Sequence, residues 1–269
     1  MESLIHEASH LAERGVKELI LIAQELTYYG LDLYQRRALP ELLEKLCVVK
    51  GIEWIRLHYA YPHKFPLEVI EVMKAQPKIC NYLDMPLQHF SDPVLKTMRR
   101  QITAEETRNL IAEIRNIHPD IRIRTTFLVG FPGETNEDFQ ALCRFVEETK
   151  FERVGVFEYS HEEGTRGYEL NDDVPAEIKK ERAEELMALQ QSISLVHNEN
   201  MIGRELKVLV DRKEGKQFVG RTEFDSAEVD NEIYIEPNGI KIQPGEFVFV
   251  KITGATEYDL SGHAINRLS

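Results

Sequence analysis

The segment that decides the fold is RTTFLVGFPGET, residues 124–135. Its first half is a run of β-branched and apolar residues that predicts a fully buried β-strand, and its second half is a Gly-Pro-Gly turn leading into an amphipathic helix. Strand, turn and helix in this order are typical of a parallel α/β sheet, in which ligands bind at the carboxyl ends of the strands. The glycines let the backbone approach a ligand closely, and the helix N-terminus offers free N–H groups. An ordinary βα turn with a threonine cap is the alternative interpretation.

Similar strand segments alternate with helices along the first part of the chain. Buried strands are predicted at 18–23, 54–60, 82–86, 124–129 and 153–159. Helices are predicted at 3–14, 40–49, 66–75 and 103–117, the last with a Thr103–Glu106 capping box. This alternation predicts an α/β fold whose parallel sheet has right-handed crossovers, as a barrel or part of one.

The pattern changes in the second part of the chain. A long helix is predicted from Pro175 to about Met201, with an apolar seam at Leu186, Leu189, Ile193 and Val196. Beyond it, short alternating strands separated by Gly, Asn, Asp and Pro predict a small antiparallel barrel or sandwich. These strands are predicted at 206–210, 218–222, 232–235, 247–252 and 264–266. The chain is therefore divided near residue 202, into 1–201 and 202–269.

Composition narrows the class of protein. The formal charge of -13 argues against a protein that binds nucleic acid mainly by neutralising phosphates. The apolar runs are too short for a membrane span and the N-terminus has no signal pattern, so a cytoplasmic location and no membrane partner are expected. The three cysteines, Cys47, Cys80 and Cys143, suit neither a CxxC metal site nor a disulfide framework. They are interpreted as buried thiols.

Polar and aromatic residues follow every predicted strand, and these strand ends meet at one rim in a parallel sheet. His58 lies inside a strand and is interpreted as a core histidine, with a ligand role as the alternative. His89 either faces the rim or caps the next turn, and Gln88 suits either a ligand or neighbouring backbone. No general acid, general base, nucleophile or metal ligand is identified. The rim candidates are Gln24, Thr27, Tyr59, Gln88, His89, Gly130, Phe131, Gly133, Glu134 and Tyr159.

Four motifs in order resemble one family, the radical S-adenosylmethionine methylthiotransferases. They are LHYAYP (57–62), YLDMPLQH (82–89), RTTFLVGFPGET (124–135) and GVFEYSHEEGT (155–165). The resemblance covers essentially the whole chain. It implies five of the six units of a radical-SAM (β/α) barrel with a long linking helix, followed by a small all-β TRAM barrel.

The third-strand motif points to one branch of that family. The branch that acts on transfer RNA typically reads closer to LPVQSGS here, whereas this chain reads DMPLQHFS, residues 84–91. The resemblance therefore implies an enzyme that adds a methylthio group to the β-carbon of an aspartate in a small-subunit ribosomal protein. A transfer RNA methylthiotransferase and a non-catalytic RNA- or ribosome-binding module are the alternatives within this reading. Glu25 stands where the family usually has Asp.

The resemblance also implies cofactors. The family cleaves S-adenosylmethionine with a 4Fe-4S cluster held by a CxxxCxxC loop, and the full-length protein is expected to carry two clusters. No such loop occurs in this sequence. We therefore expect the chain to begin after the first barrel strand and its cluster, at an internal Met1, and to lack the ligands of both clusters. On its own it is expected to be inactive.

Roles at the rim follow from the same resemblance. Gly130, Phe131, Gly133 and Glu134 are expected near the adenosyl part of S-adenosylmethionine. Gln24, Thr27 and Gln88 are expected near its polar groups. The substrate mouth is assigned to Tyr59, His89 and Tyr159.

Charge favours a protein partner over transfer RNA. From residue 201 onward the chain has nine Lys and Arg against twelve Asp and Glu. Such a module attracts a basic ribosomal protein, with the ribosome as a further partner, and repels a phosphate backbone. Two other classes stay open: a non-radical barrel enzyme, which would need a Schiff-base lysine or a phosphate-binding loop, and a pure binding protein.

Overall fold

The computed structural model describes residues 1–267 and contains eight α-helices and ten β-strands in that range. Single turns of 3-10 helix lie at Leu26–Tyr28 and Arg166–Glu169. The first part alternates strands and helices: α1 Glu2–Glu13, β1 Glu18–Leu21, α2 Leu31–Tyr34, α3 Leu39–Cys47, β2 Trp54–Leu57, α4 Glu68–Ala75, β3 Ile79–Asp84, α5 Asp92–Thr97, α6 Ala104–Ile117, β4 Arg122–Val129, α7 Asn136–Thr149 and β5 Arg153–Glu158. The second part comprises α8 Ala176–Glu199, β6 Glu205–Glu214, β7 Gln217–Thr222, β8 Ile233–Glu236, β9 Phe247–Ala255 and β10 Leu260–Arg267.

Strands β1 to β5 form one parallel sheet in sequence order. This confirms the predicted α/β class and the five strand units. Apolar residues of the strands pack against the helices on one face, as Ile55, Leu83 and Phe127 do. The opposite face, which we call the inner face, carries Arg56, Tyr82, Arg124 and Arg153.

The prediction that residues 124–129 form a fully buried strand was wrong. Along β4, buried and half-buried residues alternate. Thr125 and Phe127 are buried, whereas Arg124 and Thr126 are only half-buried on the inner face. The two faces differ because helices cover only one of them. Helix α6 begins as expected with the Thr103–Glu106 capping box, and α7 begins with a second one, Thr135–Asp138, which agrees with the threonine cap of the alternative interpretation.

Strands β6 to β10 close into a five-stranded barrel. Its interior is filled by aliphatic side chains such as Val208, Val250 and Ile235. The predicted antiparallel arrangement holds for four of its strand pairs, but β8 and β10 run parallel. The parallel pair arises because β9 lies beside β6, so that β10 returns next to β8 to close the barrel.

The predicted apolar seam of α8 was also wrong in part. Leu186 is buried, but Val196 is exposed and the rest of the buried stripe is polar. That stripe binds both parts of the protein: the Gln190 side chain donates to the Phe151 carbonyl at 3.0 Å, and Asn198 donates to the Thr256 carbonyl at 2.8 Å. The stripe consists of Lys179, Arg182, Leu186, Gln190, Ser194 and Asn198. A polar stripe is stable here because it meets backbone carbonyls and carboxylates.

Within residues 1–267, no helix is both long enough and apolar enough to cross a lipid bilayer.

The outer edge of β1 is predicted to mediate self-association. Within the described residues β1 pairs only with β2, and Ile22, just beyond it, is 64% exposed. Unpaired strand edges are templates for another chain. Light scattering over a concentration series should show association, and Ile22→Lys should reduce it. The control is Val196→Lys, a similar change at an exposed site on α8, the helix that contacts β5 at the opposite edge of the sheet. A strictly monomeric protein at high concentration would contradict the prediction.

A buried ion pair between α8 and the turn after β4 is predicted to dominate local stability. The Arg182 guanidinium donates to the buried Glu134 carboxylate at 3.0 Å. Removing one partner of a buried pair costs about 3–5 kcal/mol, so Glu134→Gln should lower the free energy of unfolding by that order in urea denaturation. The exposed Glu185→Gln should change it by less than about 0.5 kcal/mol. Equal effects of the two variants would refute the assignment.

Candidate functional site

The inner face of the sheet is the polar surface on which the site is built. At β2 the Arg56 guanidinium is fully buried and its Nε donates to Glu18 Oε1 of β1 at 2.8 Å. At β5 the Arg153 guanidinium donates to Asp225 Oδ1 from Nε at 2.9 Å and from Nη2 at 2.6 Å. Buried charges of this kind persist only when they are paired. The inner face is therefore a set of neutralised charges rather than an apolar core.

A second polar layer lies at the carboxyl ends of β2 and β3. Arg124 Nη1 donates to Asp84 Oδ1 at 3.0 Å, and Arg124 Nε lies 3.3 Å from Asp230 Oδ1. His58 Nδ1 is 3.9 Å from Asp84 Oδ2. The Tyr82 hydroxyl donates to Asp230 Oδ2 at 2.7 Å. Four side chains of the sheet region thus converge with one carboxylate, Asp230, from the small barrel.

The surroundings lower the pKa of one group in this layer, His58, and raise the pKa of two others, Asp230 and Tyr82. Burial lowers the pKa of His58, with Arg56 and Arg124 acting in the same sense and Asp84 opposing it. Burial and the neighbouring Asp225 raise the pKa of Asp230, although its hydrogen bonds act against this. Burial also holds the pKa of Tyr82 well above its ordinary value. His58 is therefore neutral near pH 7, and Tyr82 acts as a hydrogen-bond donor.

The side chain of Glu134 closes the glycine turn after β4. Its Oε2 accepts the N–H groups of Gly130 at 2.6 Å and Phe131 at 3.1 Å, and its Oε1 accepts from Arg182. Three of the residues predicted to face a cofactor are thus joined to one another. The carboxylate is buried, so it faces the protein rather than the rim.

The two glycines of that turn have different surroundings. Both have positive φ, +73° for Gly130 and +82° for Gly133, which favours glycine at each position. A Cβ on Gly130 would lie 2.3 Å from Lys179 Cγ, whereas no atom lies within 4 Å of the same position on Gly133. The Gly133 N–H donates to Asp173 at 2.8 Å. Of the two, Gly133 is the one that borders open space.

The segment after β1 forms a local cap. Glu25 Oε1 accepts the N–H and hydroxyl of Thr27 at 2.9 and 2.5 Å, and it lies 3.4 Å from the Tyr61 N–H. Thr27 is buried and Gln24 is exposed. The glutamate in place of the family's aspartate is therefore accommodated as a helix cap. Of the two residues predicted here to contact the cofactor, Gln24 and Thr27, only Gln24 has an exposed side chain.

Two residues after neighbouring strands share an uncommon backbone conformation. Gln88 and Tyr59 have φ of 73° and 59°, a region that non-glycine residues seldom adopt and that often marks functional positions. Gln88 is fixed to β4 by its N–H to the Thr126 carbonyl and by the Leu128 N–H to its own carbonyl, both at 2.8 Å. The Tyr59 N–H donates to Asp84 Oδ2 at 3.1 Å, and its ring is exposed.

The other two predicted substrate residues are buried. His89 Nδ1 accepts the Ser91 N–H at 3.0 Å, which matches the alternative that this histidine caps the next turn. Its Nε2 lies 3.6 Å from Glu134 Oε2. Tyr159 packs edge to face on Phe131 with ring centroids 5.0 Å apart. Of the predicted substrate residues, only Tyr59 lies on the surface.

The cysteine thiols do not fit a 4Fe-4S cluster. Burial raises the pKa of Cys80 to about 12 and that of Cys143 to about 11, and it also raises the pKa of Cys47. Cluster ligands must be thiolates. In residues 1–267, no three His, Cys, Asp or Glu side chains are arranged to hold a metal ion.

Sequence reasoning missed the inner-face layer altogether. The signal was present in Arg122 and Arg124, two arginines spaced by two in an otherwise apolar strand, which places both on one face. The complementary signal was the acidic segment 223–232 of the small barrel. Neither pattern shows by itself which distant segment supplies the partner.

Comparison with known proteins agrees with this architecture. Residues 1–146 match the radical SAM superfamily model and residues 202–265 match the TRAM domain model. Coproporphyrinogen III oxidase (HemN) from Escherichia coli, a radical SAM enzyme, shares the fold with a TM-score of 0.58 and 18% identity, over 82% of this chain and 57% of its own.

Curated relatives carry the name ribosomal protein uS12 methylthiotransferase RimO. The protein from Flavobacterium johnsoniae is 57% identical over 97% of this chain and 60% of its own length. That from Porphyromonas gingivalis is 50% identical over 99% of this chain and 62% of its own length. The chain thus spans about 60% of the length of these relatives. The resemblance read from the four motifs is confirmed, and the chain belongs to the radical SAM superfamily, with the RimO proteins among its relatives.

Proposed function

We propose that a protein comprising this chain and the remaining length of its relatives adds a methylthio group to the β-carbon of an aspartate in ribosomal protein uS12. The observation that carries the proposal is 57% identity, over 97% of the chain, to a protein named as the uS12 methylthiotransferase. The DMPLQH motif, residues 84–89, supports it, because the branch of the family that acts on transfer RNA typically has a different motif at this position. We further propose that residues 1–201 and 202–269 are its two domains here.

Radical SAM enzymes use S-adenosylmethionine and a 4Fe-4S cluster, which together supply the radical that removes hydrogen from an unreactive carbon. We propose two clusters for the complete protein, with ligands in the part of the relatives' length that this chain does not span. The role of this chain is then to bind and orient the other participants.

The geometry sharpens the assignment of residues that would hold S-adenosylmethionine. Gly133 borders open space, Gln24 is exposed, and the Gln88 side chain makes no hydrogen bond with the described residues. We keep these three as groups toward S-adenosylmethionine and Tyr59 as a group toward the substrate. Among the other predicted residues, Glu134 accepts the Gly130 N–H and holds the turn, and the Thr27 hydroxyl donates to Glu25 in the first loop.

The charge balance of the small barrel is weaker support for a protein substrate than the count of its charged residues suggests. Three of the twelve carboxylates counted from residue 201 contact residues of the sheet and so do not face a partner: Glu223, Asp225 and Asp230. One of the nine basic groups, Arg221, likewise contacts Glu18 of the sheet. The remaining balance is nine acidic groups to eight basic ones. The support from charge therefore comes from the whole chain, at -13, which favours a basic protein over a phosphate backbone.

The chain alone is predicted to bind no 4Fe-4S cluster and to leave S-adenosylmethionine intact, because its three cysteines are far apart in the sequence, with Cys47 and Cys80 buried and Cys143 half-buried. Anaerobic reconstitution followed by iron analysis and a 5′-deoxyadenosine assay checks this. The matched control is a triple variant, Cys47→Ser, Cys80→Ala and Cys143→Ser, which should behave identically. Stoichiometric iron lost in that variant would show that the chain does hold a cluster.

The complete protein is predicted to modify uS12 and not transfer RNA. With reductant and S-adenosylmethionine, uS12 should gain the mass of one methylthio group on an aspartate, and a uS12 variant with Asn at that position should gain none. Transfer RNA treated in parallel should stay unmodified. Methylthiolation of transfer RNA alone would contradict the proposed substrate and favour the alternative within the same family.

A further inference from the structure

The loop between β7 and β8, residues 223–232, enters the inner face of the sheet as a preformed unit. Inside the loop, the Ser226 N–H donates to Asp230 Oδ2 at 2.9 Å. At its start, the Thr222 hydroxyl donates to Asp225 Oδ2 at 2.6 Å. Asp225 and Ser226 are each only 2% exposed. A loop held by its own hydrogen bonds presents its polar groups in fixed positions. It can therefore fix the orientation of the side chains that it contacts.

Two contacts of the loop hold the two parts of the protein together. The Arg56 guanidinium, which donates to the Glu223 carbonyl at 2.7 Å, is fully buried and presents nothing to a ligand. The Arg153 side chain, paired with Asp225, is 12% exposed and lines the cavity described below.

Two other contacts involve side chains that stay partly open. Ser226 Oγ lies 2.9 Å from His58 Nε2, and Asp230 Oδ1 lies 3.3 Å from Arg124 Nε. The His58 and Arg124 side chains are 14% and 18% exposed. Arg124 Nη2 lies 3.8 Å from the position of a Cβ on Gly155, so the missing side chain leaves room beside the guanidinium.

A cavity of about 240 Å³ lies beside the Arg124 side chain. Arg124, Gly155 and Asp230 line it together with α8 and the turn before β10. The loop therefore contacts one side of the Arg124 guanidinium while the other side faces a cavity. His58 lies outside the lining of this cavity; its Nε2 is held by Ser226 Oγ, and its Nδ1 lies 3.9 Å from Asp84 Oδ2.

We propose that the β7–β8 loop is the floor of the substrate site, with Asp230 and Ser226 as positioning residues for Arg124 and His58. The inference rests on the proposed function, because it needs a substrate in the space above the inner face. It assigns the TRAM barrel a part in the geometry of the reaction, in addition to any part in recognising the partner. Without the loop, Arg124 and His58 would each keep Asp84 as a neighbour and lose their second contact.

The first test needs no activity and uses this chain directly. The imidazole of His58 is followed by NMR against pH and assigned with a His58→Gln variant. Asp84, Asp230, Arg56, Arg124 and Tyr82 surround it. Ser226→Ala opens the imidazole to water, so its pKa should rise toward the ordinary value of 6.5. An unchanged His58 titration in this variant would overturn the proposed role of Ser226, whether or not the protein is a methylthiotransferase.

The matched control breaks a contact between the same two parts of the protein away from the site. Lys207 Nζ pairs with Glu53 Oε2 at 3.3 Å in a partly exposed position. Glu53→Gln should leave the His58 titration as it is. If it shifts the titration as much as Ser226→Ala does, the effect is a general loosening of the small barrel and the proposal fails.

The second test measures turnover of uS12 by the complete protein. Asp230→Asn keeps an acceptor for Tyr82 and for the Ser226 N–H, so the loop stays folded while the charge beside Arg124 is lost. Since a small misplacement of a positioned group costs up to about a hundredfold, kcat should fall about tenfold to a hundredfold with KM nearly unchanged. Unchanged kcat would overturn the positioning role. Absence of activity in the unaltered protein would refute the proposed function instead, and the His58 titration would still decide the role of the loop.

Discussion

The pairing of the inner-face arginines with carboxylates of the small barrel is the interaction on which the rest of the structure depends. Arg56, Arg124 and Arg153 lie on a sheet whose other face is covered by helices. Moving a charged side chain out of water costs several kcal/mol unless a partner is close. Asp225 and Asp230 supply that partner for Arg153 and Arg124 from the β7–β8 loop. The two proposed domains are thus joined by buried charges, and we expect them to unfold as one cooperative unit.

The long helix α8 follows the same principle. A helix that merely linked two domains would show an apolar stripe on one side or none at all. Instead its buried side chains contact the glycine turn through Arg182, the sheet through Gln190 and the small barrel through Asn198. Polar contacts have defined directions, so they fix the helix relative to both parts more closely than apolar packing would. The turn that carries Gly133 is consequently held from behind by α8, while its open side remains free.

Features set by neighbouring residues could be read from the sequence, and features set by distant residues could not. The strand-turn-helix at 124–135 and the Thr103 capping box are local, and the structure has them where they were expected. The two faces of β4 were missed because Arg124 finds its partner Asp230 more than 100 residues later. Glu134 was assigned to a cofactor because its hydrogen bonds to the turn and to Arg182 cannot be seen in the motif.

Trp54 offers the most direct measurement of the central claim. It is the one tryptophan of the chain, it lies on β2, and its ring packs edge to face on Phe247 of the small barrel with centroids 4.8 Å apart. Its fluorescence therefore reports docking of the small barrel, whereas far-UV circular dichroism at helical wavelengths reports the helices that cover the sheet. In a urea titration we expect the two signals to change together, as in a single cooperative transition. A Trp54 transition completed at lower urea, with the helical signal intact, would mean that the sheet is stable without the small barrel and would contradict the account.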